Sequence, residues 1–111
     1  VEPRIGQPTQ RLTIYVGERD RLNSEPLYHV LVVKAKEMGM AGATVYRCIE
    51  GFGANSRIHT ARLLDLSTDL PIVVEIIDSK EYIEMFLPFV NEVVREGLVT
   101  IEDVRVFKYS R

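Results

Sequence analysis

Alternation of apolar and polar residues begins near Gln10. From Arg11 to Val16 the side chains of Leu12, Ile14 and Val16 fall on one face, the period-two pattern of a half-buried strand that Gly17 ends. In the polar run ERDRLNSEP that follows, Asn23, Ser24 or Glu25 is expected to cap a helix with Pro26 in its first turn. Leu27, Val30, Leu31, Ala35 and Met38 then recur at helical spacing, and Gly39 suits the left-handed position just past the helix end. The segment GATVYRCIEG alternates again: Thr44, Tyr46 and Cys48 point one way and Val45, Arg47 and Ile49 the other. From Leu70 to Ile77 the residues are almost all apolar, as in a central strand, with Pro71 confined to its start because it has no amide to donate. Asp78 with Glu81 reads as a capping box, opening a helix with the stripe Ile83, Phe86, Leu87, Val90 and Val94. Pro88 falls inside that helix and predicts a kink or a break, and Gly97 is expected to close it. The run VTIEDVRVFKY supplies a last strand, with Val104, Val106 and Lys108 on one face and Arg105, Phe107 and Tyr109 on the other.

The order β-α-β-β-α-β, joined by right-handed crossovers, predicts an α+β ferredoxin-like fold: a four-stranded antiparallel sheet with both helices on one face. Residues 1–9 carry two prolines and a glycine without periodicity and are read as a flexible arm, which leaves 10–111 as a single domain. So short a chain has nothing of its own to cover the second face of the sheet. An apolar face left bare is expected to meet other copies.

Composition narrows the function classes. With 14 basic and 16 acidic side chains the net charge is -2, which gives no general attraction for nucleic acid but leaves room for a local basic pocket. The lone Cys48 has no disulfide partner and is read as strand filling. No run approaches the roughly 20 apolar residues of a membrane helix. VEPRIGQPTQ lacks an apolar targeting stretch, so a cytoplasmic protein is expected.

Candidate chemistry concentrates in GFGANSRIHT, Gly51 to Thr60, which has no core pattern. Two glycines around Phe52, directly after a strand, either let backbone amides approach a ligand or simply reverse the chain. His59 and His29 lack metal-ligand partners at the usual spacings. Ser56, Ser67 and Ser79 have no base in a nucleophile motif, and no phosphate-binding Walker loop occurs. No catalytic residue is assigned.

Taken in order, GMAGATV, GFG, HT and DLPIVVEII resemble the PII signalling proteins. The stretches RLTIYVGE, PLY, GATV, IEGFG, LSTDLPIVVEI and EGLVTIEDVRV resemble still more closely a PII-like family known as domain of unknown function number 190, over roughly Arg11 to Tyr109. The resemblance implies a homotrimer packed sheet against sheet, with an adenine nucleotide (ATP, ADP or AMP) as effector in clefts between subunits. Gly51, Phe52 and Gly53 match the glycine turn of that site, and Ala54 to Asp69 match the long loop that touches protein targets such as a membrane transporter or an enzyme.

Three departures accompany the likeness. No tyrosine lies between Ala54 and Asp69 to accept a nucleotidyl group, LVTIEDV replaces the glycine- and lysine-bearing phosphate loop, and the arginine-rich C-terminal extension is missing. Phosphate charge then falls to Arg47, Arg57, Arg105 and Lys108, with His59 beside the turn. The leading expectation is a non-enzymatic regulator of this kind. The alternatives are a small enzyme using His59 as acid/base with Glu50 nearby, and a trimeric divalent-metal binder using His59 or His29.

Overall fold

The computed structural model describes residues 8–52, the backbone of 59–60, and 70–110. Its elements are β1 (Thr9–Gly17), β2 (Arg21–Leu22), β3 (Glu25–Pro26), α1 (Leu27–Glu37), β4 (Thr44–Arg47), β5 (Glu50–Gly51), β6 (His59–Thr60), β7 (Pro71–Ser79), α2 (Lys80–Val93) and β8 (Leu98–Val104). Four of them form an antiparallel sheet in the order β4-β7-β1-β8, the ferredoxin-like arrangement that the alternating segments predict. Residues 1–7 of the expected arm lie outside the described residues. β1 begins at Thr9, one residue before the expected domain boundary.

One face of the sheet carries the core. Leu12, Ile14 and Val16 of β1 and Ile72, Val74 and Ile76 of β7 pack against Leu27, Leu31 and Ala35 of α1 and Ile83, Phe86 and Val90 of α2. Phe86, Leu12, Ile14, Leu31, Ile76 and Ile83 are among the fully buried side chains. Burying a side chain of this size stabilises the fold by about 1.5 to 3 kcal/mol before chain entropy is counted. The two long central strands are therefore the best anchored elements.

Four local readings are corrected. Asn23 and Ser24 do not cap α1; both have positive φ, 51° and 74°, and form the two-residue turn of the β2–β3 hairpin, the backbone pattern of a type I′ turn. Pro26 is itself the cap of α1, and the Leu27 amide bonds instead to the carbonyl of Asp20 at 2.8 Å. At the second helix the cap is Ser79, whose hydroxyl accepts from the Tyr82 amide, while Asp78 is used elsewhere. The last strand ends at Val104 rather than Tyr109, because Val104 pairs with Thr9 and β1 offers no residue beyond it. Gly97 sits before β8 rather than directly after the helix, whose cap is Val94. There its φ is +150°, and a Cβ would collide with the carbonyl oxygen of Tyr15.

Pro88 is accommodated within one continuous helix. Pro88 and Glu84, whose carbonyl loses its helical donor to the proline, are both exposed, so water can satisfy that oxygen. The end of α1 follows expectation. Gly39 has φ 76°, its amide bonds to Lys36 O, and the Met40 amide bonds to Ala35 O at 3.1 Å, completing a Schellman motif with Met40 and Ala35 both in the core.

On the other sheet face no helix packs among the described residues. Across it Leu98, Tyr15, Val73 and Tyr46 lie side by side, one from each strand. Leu98 is 55% exposed and Tyr46 46%, whereas Val73 is already buried between its neighbours. Next to this apolar row runs a polar one, Thr100, Thr13, Glu75 and Thr44. Arg11 and Glu102 then form a surface ion pair at 2.7 Å.

Candidate functional site

The glycine turn is built at the Gly17 end of the sheet. β4 stops at Arg47, and the Cys48 amide bonds to the carbonyl of Pro71 at 3.0 Å. Glu50 and Gly51 then pair with Thr60 and His59, so the segment between them is closed at its base by a short ribbon. A Cβ on Gly51 would stand 3.0 Å from Pro71 Cγ, so one reason for glycine there is close packing on that ring. Ile49 and Phe52 on either side are 79% and 68% exposed. Arg47 is engaged, its Nε 3.1 Å from Glu18 Oε2. Gly53, Arg57 and the side chain of His59 lie outside the described residues, as does the Ala54 to Asp69 loop apart from the backbone of 59–60.

A second feature lies at the opposite end of the sheet. A cavity of about 380 Å³ opens between Ala41–Thr44, the end of β7 and the chain that follows β8, with Thr9, Ile77, Val106 and Lys108 among its walls. Its fixed wall is held by Asp78, a buried carboxylate. Asp78 Oδ2 accepts the Ala41 amide at 2.9 Å and Oδ1 the Ser79 amide at 2.6 Å. Tyr109 donates its hydroxyl to the Ala41 carbonyl at 3.0 Å. Both polar groups of one backbone residue are thus held by side chains from distant parts of the chain.

The sequence-derived cations are divided between these two places. Arg47 and Gly51 stand at the Gly17 end of β1, and Lys108 with the exposed Arg105 at the Thr9 end. A nine-residue strand separates them by roughly 25 Å. Arg105 and Lys108 are no longer on a strand, so the alternation that set them on opposite faces does not apply. The roles of Asp78 and Tyr109 were missed, because the bond from Tyr109 to Ala41 spans 68 residues and no local spacing reports it.

Among the described residues no three His, Cys, Asp or Glu side chains gather where a metal ion could sit. No described helix is long and apolar enough to cross a membrane. Two polar pairs mark the sheet face opposite the helices, Tyr46 with Glu75 and Arg11 with Glu102. Tyr46 bonds to Glu75 at 3.3 Å, and its phenol is pushed above the ordinary 10.0 by desolvation, then by the charge and hydrogen bond of Glu75. The Arg11 guanidinium is raised further by its bond to Glu102.

Comparison with solved structures shows the same fold in PII-like proteins. CPII of Thiomonas intermedia K12, solved with ADP and bicarbonate, superposes with a TM-score of 0.65 at 18% identity, covering 91% of this chain and 90% of that one. TTHA0516 of Thermus thermophilus, a PII-like signaling candidate, gives 0.61 at 22% identity, covering 88% of each chain. GlnK of B. subtilis, solved with ATP, gives 0.57 at 12% identity, over 87% of this chain and 82% of that one.

Sequence relatives are nearer. A UPF0166 protein of Aquifex aeolicus is 42% identical over 95 residues, 86% of this chain and 90% of the relative. The UPF0166 protein of Methanocaldococcus jannaschii is 36% identical over 98 residues, 87% of this chain and 90% of the relative. The family model of DUF190, Uncharacterized ACR, matches residues 9–106, the whole of the four-stranded sheet and both helices. With its fold, its close relatives and this match in agreement, the chain belongs to the DUF190 family.

Proposed function

We propose that this chain is a cytoplasmic PII-like regulator, not a catalyst. Residues 10–111 act as one domain, assemble as a homotrimer and bind an adenine nucleotide in clefts between copies. The observation that carries the reading is the separation of the two candidate half-sites. The glycine turn with Arg47 and the cavity with Lys108 stand at opposite ends of β1, too far apart for one small ligand to touch both in one chain. A head-to-tail arrangement brings one end of a copy to the other end of its neighbour. Such heterologous contacts close into a ring when the rotation between copies is a whole fraction of a turn. The row Leu98, Tyr15, Val73 and Tyr46 offers apolar surface for that packing.

CPII solved with ADP and bicarbonate, and GlnK solved with ATP, support a nucleotide as the ligand class. Gly51, Phe52, Gly53, Arg57 and His59 would line the cleft from one copy, and Arg105 and Lys108 from the next. Binding biases the 54–69 loop between two conformations, which present or withdraw a surface for a protein target. Sedimentation and calorimetric titration with ATP, ADP, AMP and cyclic AMP test this together. A trimer that releases heat with at least one nucleotide, without consuming it, is expected. A monomer at micromolar concentration, or no heat with any nucleotide at millimolar concentration, overturns it.

A further inference from the structure

Beyond Val104 the chain has lost its ladder partner, yet the next six residues stay with the fold. Tyr109 reaches the carbonyl of Ala41 across the end of the sheet. The segment thereby becomes one wall of the cavity, through Val106, Lys108 and Tyr109. It is thinly held. Residues 105–110 form no strand, Val106 and Tyr109 are half-buried, and Arg105, Phe107, Lys108 and Ser110 are exposed, Phe107 at 99%. The facing wall is of the opposite kind: the Ala41 amide is fixed by buried Asp78, and the preceding Met40 is locked by the Schellman motif of α1. Where one wall has few contacts and the other is pinned to a buried carboxylate of β7, the weak wall opens at a free energy well below that of global unfolding.

The geometry points to a strap: residues 105–110 open and close the cavity, and the Tyr109 hydroxyl on the Ala41 carbonyl is the latch. Opening leaves the sheet intact, because no ladder bond extends past the pairing of Val104 with Thr9. The device does not depend on what the cavity admits, so it stands or falls separately from nucleotide binding.

Limited trypsin digestion of the full chain, followed by mass spectrometry, tests it by comparing the wild type with Tyr109→Phe. Phenylalanine keeps the ring and removes the donor. Cleavage after Lys108 is expected to be about fivefold faster in the variant, the factor given by a net hydrogen bond of about 1 kcal/mol. Cleavage after Arg11, within β1, should be unchanged. Three results overturn the proposal: cleavage after Lys108 unaffected by the substitution, a wild-type strap cut as fast as a free peptide of the same sequence, or acceleration spread equally to the site in β1.

Discussion

Asp78 and Ala41, 37 residues apart in the chain, are joined by a bond of 2.9 Å from the Ala41 amide to Asp78 Oδ2. The same carboxylate accepts the Ser79 amide, and its side chain is buried, so two backbone donors depend on it. Removing it leaves both unpaired. Hydrogen bonds to a charged group are worth about 1.5 to 3 kcal/mol, and an orphaned buried donor costs about 1 to 3 kcal/mol. Asp78→Ala is therefore expected to lose about 3 kcal/mol in urea unfolding at matched protein concentration, and Asp78→Asn distinctly less. Equal stability of Asp78→Ala and wild type would mean that the carboxylate does not clamp the cavity wall.

Two glycines make opposite predictions. At Gly97 the φ of +150° and the carbonyl of Tyr15 leave no room for a side chain, so Gly97→Ala should cost about 2 kcal/mol or more. At Gly42 a Cβ meets nothing within 4 Å, so Gly42→Ala should be neutral or slightly stabilising, by up to about 1 kcal/mol. Thermal unfolding of the pair gives the comparison directly. The same loss in both variants would contradict the packing described for Gly97.

The sheet face opposite the helices gives a prediction about alkaline pH. Tyr46 resists ionisation in the folded protein, through desolvation first and then through Glu75. Its contribution to stability is present in full below pH 10.0, the unfolded value, and is lost as pH rises through the higher folded value. Urea midpoints should therefore fall more steeply above pH 10 in the wild type than in Tyr46→Phe. Parallel curves would assign the alkaline loss to other groups.

Leu98 offers a test of assembly that spares the fold. Its side chain is 55% exposed in the protomer, yet it pairs with Tyr15 in the apolar row. Leu98→Glu is expected to shift sedimentation from trimer to monomer, with the circular dichroism of the helices and sheet preserved. A variant that sediments like the wild type would move the contact between copies away from this row.

The long elements were legible in the sequence because packing and local pattern agree in them. Leu12, Ile14 and Val16 alternate and are all buried, and Ile83, Phe86 and Val90 recur at helical spacing and face the sheet. Errors fell at the ends, where tertiary partners decide. Asn23 and Ser24 had the chemistry of a cap, and the hairpin claimed them for its positive-φ turn. The alternation of Val104, Val106 and Lys108 continued past the point where β1 could pair with it. Of the candidate site, Arg47 and Lys108 were visible as cations, but their placement at opposite ends follows from strand register alone. The bonds of Asp78 and Tyr109 to Ala41 join residues too distant in the chain for any motif to mark.

The bond from the Glu18 amide to the carbonyl of fully buried Leu70, at 2.8 Å, fixes where the chain rejoins the core before β7 begins. On the other side, the pairing of Glu50 and Gly51 with Thr60 and His59 fixes where it departs. The closure entropy of a connection between two such anchors grows slowly with its length, by only about 0.6 kcal/mol per doubling. Insertions, deletions or whole replacements between positions 61 and 69 are therefore tolerated by the framework, which leaves that stretch free to diversify from one relative to another while the chassis stays the same.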